Sequence, residues 1–264
     1  MPSPLLRKPA QGSRIHHVTP ENAGWTYVGF DVHQLAQGAE LAAPTGTREL
    51  CIVLLSGTAR IAAGGQDLGR IGGRNSPFEG PPWSAYIPAQ SDYTLLAQTA
   101  CEVALCSAPG VGGIYPARLI GPADVAQMTR GTGSNTRHVA NILPEDASAE
   151  SLLVVEVITP AGCWSSYPPH KHDRDALPAE SLLEETYYHR LNPPQGFGMQ
   201  RIYTDDRSLD ETLSFENRDV VLVPRGYHPA GAPHGYDLYY LNVMAGPKRV
   251  WKFWNDPAHE WMLK

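Results

Sequence analysis

The chain reads as an all-β protein built as two tandem barrels with few short helices, and three observations carry that reading. Its 25 glycines and 24 prolines punctuate many short apolar or alternating runs, the pattern of strands joined by turns. Its 264 residues, 42% hydrophobic and only 18% charged, allow one large domain or two of ordinary size. Its halves also align. At an offset of 124, Gly162 falls on Gly38 and PPHKHD (168–173) on PTGTRE (44–49). With a twelve-residue insertion set aside the offset becomes 136, which puts Glu185 over Glu49 and Pro224 over Pro88. Both halves then separate this glutamate from this proline by 39 residues, as an internal duplication would.

Taken in order, residues 25–33 alternate as a strand, and 49–55 form an apolar run fit for a buried strand. TARIAA (58–63), SAYIP (84–88), YTLLAQ (93–98) and CEVALCS (101–107) follow as short strands between Gly, Pro and Asp. From 108 to 146 the pattern loosens. Residues 122–129 are expected as one short helix and RGTGSNTR (130–137) as a connection, so the boundary is set here: an N-terminal barrel over 1–125 and a C-terminal barrel over 126–264. A second strand series begins at Leu152. The insertion, 173–184, carries Pro178 and several charges and is expected as a loop over the mouth of a site.

The net charge of -6 argues against nucleic acid as a partner. No apolar run approaches the roughly 20 residues needed to span a membrane. The opening MPSPLLRKPAQGSR has no hydrophobic core for a signal peptide, so a cytoplasmic protein is expected. Cys51, Cys101, Cys106 and Cys163 lack C-x-x-C spacing and read as buried free thiols.

Chemistry concentrates between Gly162 and His228. His170 and His172 stand two apart, and residues i and i+2 of a strand share a face. Glu185 opens the aromatic run Thr186, Tyr187, Tyr188, which favours a strand. His228 follows the turn Pro224-x-Gly226, and this turn favours it over His234 as the last ligand. Three imidazoles and one carboxylate suit one divalent cation, zinc or manganese with iron as the alternative, leaving positions for water or substrate. His-x-His, a glutamate opening an aromatic strand, then Pro-x-Gly and a final histidine is the ligand order of the cupins, and that resemblance implies small jelly-roll barrels. At the alignment offsets His170 falls on Gly46, His172 on Arg48 and His228 on Asp92, so the N-terminal barrel lacks the ligands and Glu49 is structural.

Tyr187 shares the parity of Glu185 and should point inward, as a packing residue or a proton donor. Arg201, in the strand-like GFGMQRIY, is the candidate to hold a substrate carboxylate through its planar fork, against the alternative of a surface salt bridge. Lys171 should face away from the metal, His189 reads as a core histidine, and Asn255 or Asp256 as a helix cap beside Pro257, with His259 structural there.

The strings YPPHKHD, LEETYYHRLNPPQGFGMQRIYTDDRSLDE, ENRDVVLVPRGYHPAGAPHGYDLYYLNVMAGP and FWNDPAHEWM resemble the 5-deoxy-glucuronate isomerase family of inositol catabolism, as do LLRKP and RGTGSNTRHVANILP. The resemblance spans nearly the whole chain. It implies a bicupin that interconverts 5-deoxy-D-glucuronate and 5-dehydro-2-deoxy-D-gluconate, a small anionic sugar acid, with no organic cofactor; a homo-oligomer is expected. Such a reaction moves a carbonyl between adjacent carbons, through an enediolate that a divalent cation can stabilise or by a hydride shift. Two other classes carry the same ligands: an Fe(II) dioxygenase, which would consume oxygen, and a non-catalytic sugar-binding module.

Overall fold

The computed structural model describes residues 3–263. Among them strands dominate, and helix is confined to Pro20–Ala23 and two 3-10 turns, Gly133–Asn135 and Glu260–Leu263. The chain divides into two compact units, and the division is not a single cut. One unit joins Ala10–Ala126 with Ala140–Val154; the other joins the residues up to Pro9 with Gln127–Val139 and everything from Val155 onward. Edge pairing explains the early residues: Leu6–Arg7 pairs antiparallel with Val220–Val223, and Leu222 N donates to Leu5 O at 2.8 Å.

In the first unit a six-stranded antiparallel sheet runs in the order Arg118–Ile120, Trp83–Ile87, Arg48–Ser56, Cys101–Pro109, Gly29–Leu35, Arg14–Val18. A four-stranded sheet runs Glu40–Pro44, Asp92–Ala97, Thr58–Ala63, Gln66–Gly72. Asp92–Ala97 alternates exposed and buried residues, and its Tyr93, Leu95 and Ala97 join Ile52, Leu54, Ile61 and Val103 in one apolar core. The apolar run 49–55 is the middle strand, buried through its length because it has neighbours on both edges.

Glu49 is buried on that strand and spends its carboxylate on backbone. It accepts from the amides of Glu150 (2.8 Å) and Ser151 (2.6 Å), from that of Leu152, and from the Tyr86 hydroxyl (2.8 Å). Arg48 is likewise tied into its surroundings, donating to Ser107 Oγ at 3.0 Å and to the carbonyls of Ser107 and Tyr27. The cysteines are free, and burial pushes the Cys51 thiol up to about 12 and Cys101 to about 11.

In the second unit the larger sheet runs Leu6–Arg7, Val220–Val223, Glu184–Asn192, Asp237–Ala245, Leu153–Thr159, Arg137–Leu143, Ala126–Arg130. The smaller runs Trp164–Ser165, Ala230–Gly231, Phe197–Tyr203, Asp210–Glu216. Glu184–Asn192 lies between Val220–Val223 and Asp237–Ala245 as Arg48–Ser56 lies between Trp83–Ile87 and Cys101–Pro109, so Glu185 and Glu49 are each the second residue of a corresponding strand.

Two expectations change. The stretch 122–129 is not a helix: Asp124 accepts the Gly121 amide at 2.8 Å in a turn, and Ala126–Arg130 becomes the edge strand of the larger sheet. The insertion is not a plain loop either. Asp173–Ala176 and Glu180–Leu182 pair as a hairpin, because Glu180 is buried and accepts the Asp173 amide at 2.8 Å.

Removing the Glu49 carboxylate strands several buried donors at once. Glu49→Ala is expected to lower the unfolding free energy by about 3 kcal/mol or more, and Tyr86→Phe by about 1, read by denaturant titration.

Candidate active site

Two strands and a turn bring the ligand candidates together. Glu185 projects from the middle strand Glu184–Asn192 and is buried at 1% exposure. His172 follows the short strand His170–Lys171, and its Nε2 lies 3.0 Å from Glu185 Oε2. His228 follows the turn at Gly226, its Nε2 3.1 Å from the same oxygen. One donor atom from each of His172, Glu185 and His228 lies within 4.8 Å of the others. His170 stands beside this group, its ring 5.0 Å from that of His228 and 6.4 Å from that of His172, and it packs on Phe253 at 4.6 Å.

Gly226 sets the angle of entry. Its φ of +90° suits glycine, and a Cβ there would stand 2.5 Å from Tyr203 O. Its amide donates to Asp173 Oδ2 at 2.9 Å, and its carbonyl accepts from His228 Nδ1 at 2.8 Å. His172 Nδ1 likewise donates to Leu183 O, at 3.0 Å. In its neutral form each ring carries its proton on Nδ1 and turns an Nε2 lone pair toward Glu185. Against its burial, Glu185 raises the His172 pKa, so positive charge, a proton or a shared cation, is favoured between these groups, and the buried His228 Nε2 makes no directed hydrogen bond. The donor set fits a divalent metal.

The charges follow the same geometry. Burial alone would raise the Glu185 pKa, but positive charge at His228 and His172 outweighs it and holds it below the usual carboxylate range. Burial, with His228, His172, Arg137 and Arg130 around it, pushes His170 well below the ordinary histidine value, so it is neutral. Burial also raises Tyr187 well above its ordinary value, with Glu185 adding to it, and keeps its hydroxyl protonated beside Ser166 Oγ at 3.0 Å. His170, Glu185, Tyr187 and Tyr240 line a small cavity of about 30 Å³ whose wall also includes Arg130, Arg137, Asn242 and Trp251.

A family model described as the KduI/IolB family matches residues 5–262. The chain belongs to the KduI/IolB family. Among KduI/IolB relatives it is 57% identical to the 5-deoxy-glucuronate isomerase of Geobacillus kaustophilus over 97% of this chain and 93% of that one. It is 51% identical to that of Bacillus subtilis over 98% of each. The crystal structure of an IolB-like protein from Salmonella typhimurium superposes with a TM-score of 0.96 at 52% identity, covering 98% of this chain and 99% of that one. Oxalate decarboxylase of Lactobacillus farciminis, at 12% identity, shares the fold with a TM-score of 0.68 over 97% and 89% of the two chains. This KduI/IolB chain is an all-β bicupin.

Arg201 stands apart from the cavity. Along Phe197–Tyr203 Gln200 is buried and Arg201 exposed, and Arg201 grips Asp210 with two bonds of 2.8 Å while stacking on Tyr203. By this alternation Arg201 faces outward and takes the surface ion pair that the sequence left as the alternative. Inward-facing Gln200 instead bridges His189 Nε2 (3.2 Å) and His228 O (3.2 Å). His189 is a buried histidine stacked on Phe215 at 3.6 Å. Arg130 and Arg137 fall outside the expected site because RGTGSNTR reads as a connection, and the signal for them is that two arginines flank it.

Gly226→Ala is expected to displace His228 and lower metal content more than tenfold, measured by elemental analysis. A second expectation concerns acid. Burial drops the His189 pKa to about 3, so the folded state refuses a proton that the unfolded chain accepts near the ordinary value. The unfolded state then holds more protons, and this contribution to stability, intact above the unfolded pKa, falls as pH falls toward the folded one. Between pH 6 and 4 this group costs roughly 2 to 3 kcal/mol, and His189→Gln should flatten the pH dependence of unfolding by that amount.

Proposed function

We propose that this chain interconverts 5-deoxy-D-glucuronate and 5-dehydro-2-deoxy-D-gluconate, an aldose–ketose isomerisation, as its 5-deoxy-glucuronate isomerase relatives are named to act on the first. The full-length likeness to those isomerases carries the reading. The donor group that His172 and His228 form around Glu185 in the second barrel supports it. His172, Glu185 and His228, with His170 as the fourth ligand, hold one divalent cation, zinc or manganese, with iron the alternative. No organic cofactor takes part. When bound, the cation supplies Lewis-acid polarisation of the substrate carbonyl.

The chain's own groups do the rest. The reaction moves hydrogen between adjacent carbons, so negative charge on oxygen must be met by donors held in place beforehand. Tyr187 offers such a donor: its hydroxyl stays protonated and is aimed by Ser166. Glu185 stays ionised between its imidazoles, and the cavity's valine wall excludes water from the reacting carbons. The partner is a small anionic sugar acid, not nucleic acid or membrane, and the enzyme works as a cytoplasmic homo-oligomer; no described helix is long and apolar enough to cross a membrane.

The test is incubation with 5-deoxy-D-glucuronate, following ketone formation by NMR. Isomerisation should be lost with a chelator and return with zinc or manganese, and His172→Ala should lower kcat/KM by at least about a hundredfold. Full activity of His172→Ala would sink the metal assignment, and no ketone from the unmodified enzyme would sink the function.

A further inference from the structure

Two guanidiniums line the cavity beside Glu185, and neither has a carboxylate. Arg137 donates Nη1 to the carbonyls of Asn135 at 3.1 Å and Tyr167 at 3.2 Å. Arg130 donates Nε to Met128 Sδ at 3.3 Å and lies 5.5 Å from the centre of the Trp251 ring. Among the described residues neither forms an ion pair. The cavity wall carries one carboxylate, Glu185, already set between His172 and His228. Burial lowers the Arg137 pKa, and the charge of Arg130 adds to the effect.

Two half-buried like charges on one cavity wall are costly without a counter-charge, and that lack marks what the cavity is built to receive. A guanidinium fork matches a carboxylate bidentately. The surface next to it is apolar. Arg137 and Val139 are two apart on the strand Arg137–Leu143 and share a face, and Val155 and Val157 repeat that spacing on the neighbouring strand Leu153–Thr159. All three valines line the cavity with the two arginines.

We propose that Arg130 and Arg137 together receive the substrate carboxylate, and that Val139, Val155 and Val157 receive the deoxygenated methylene beside it. This rests on the isomerase reading, in which the sugar acid carries CH2 next to its carboxylate. A hydroxyl at that carbon would lose its water against the valines without gaining a partner, so the site selects the deoxy acid as well as the charge.

The test uses equilibrium binding, so it does not depend on turnover. Metal-loaded enzyme is titrated by calorimetry with 2-deoxy-D-gluconate, an open-chain relative of the product whose ketone is reduced, and with its amide and D-gluconate. Unmodified enzyme should bind the deoxy acid about 10- to 100-fold more tightly than either. Arg130→Gln and Arg137→Gln should each erase most of the preference for acid over amide while leaving amide affinity within about threefold, and Arg137→Lys should restore part of it. Val155→Thr should narrow the preference for deoxy acid over gluconate. Arg137→Gln also loses two bonds to backbone, so Arg130→Gln, whose contacts are a thioether and a ring, is the decisive variant should the other fail to fold. Equal loss of acid and amide binding, or no acid preference in the unmodified enzyme, would overturn the clamp. Failure of isomerisation with the acid preference intact would instead overturn the function and leave the clamp standing.

Discussion

A buried ammonium organises the site. Lys171 is 1% exposed, and an unpaired charge at such depth costs several kcal/mol, so acids must come to it. Asp173 and Asp205 do, at 3.0 and 2.8 Å, with Glu180 at 3.9 Å. Because Lys171 sits between His170 and His172, satisfying it turns both imidazoles the other way. Asp173 then reaches the Gly226 amide, whose carbonyl holds His228, and Asp205 accepts from Tyr227 at 2.8 Å. One desolvation constraint thus fixes the hairpin, the His-x-His strand and the final turn together.

The two barrels show how one position can take different work. Glu49 and Glu185 occupy corresponding strands, both buried. Glu49 faces backbone amides and a tyrosine, a fixed set of protons that completes its bonding. Glu185 faces imidazole nitrogens whose protons are committed elsewhere. Neighbours, not the carboxylate itself, decide which is free to meet a cation and which is a strut.

Much of this was legible in the sequence, and the reason is local periodicity. Period-two patterning places Glu185 and Tyr187 inside and Lys171 opposite the histidines, and the strand pattern marks 49–55 as buried. What escaped was tertiary. Arg201 sits in a clear strand, but its face depends on which side of the sheet the barrel closes, and Asp210 across the ladder claims it. Arg130 and Arg137 flank a stretch rich in Gly and Ser that carries no periodicity, and only sheet pairing brings them beside Glu185. The hairpin in the insertion was hidden because its stabilising contact, Glu180 near Lys171, is a buried ion pair in a charged sequence.

The carboxyl-terminal segment helps to wall the site. His170–Lys171 pairs with Trp254–Asn255 alone, Phe253 packs on His170, Trp251 lines the cavity, and Ser181 fastens Lys252 through its amide and hydroxyl. The space beside Glu185, about 30 Å³, is a tenth of the roughly 300 Å³ at which small-molecule pockets begin. The strand that carries the histidines thus leans on the chain's last strand, which makes the carboxyl-terminal segment a structural part of the site.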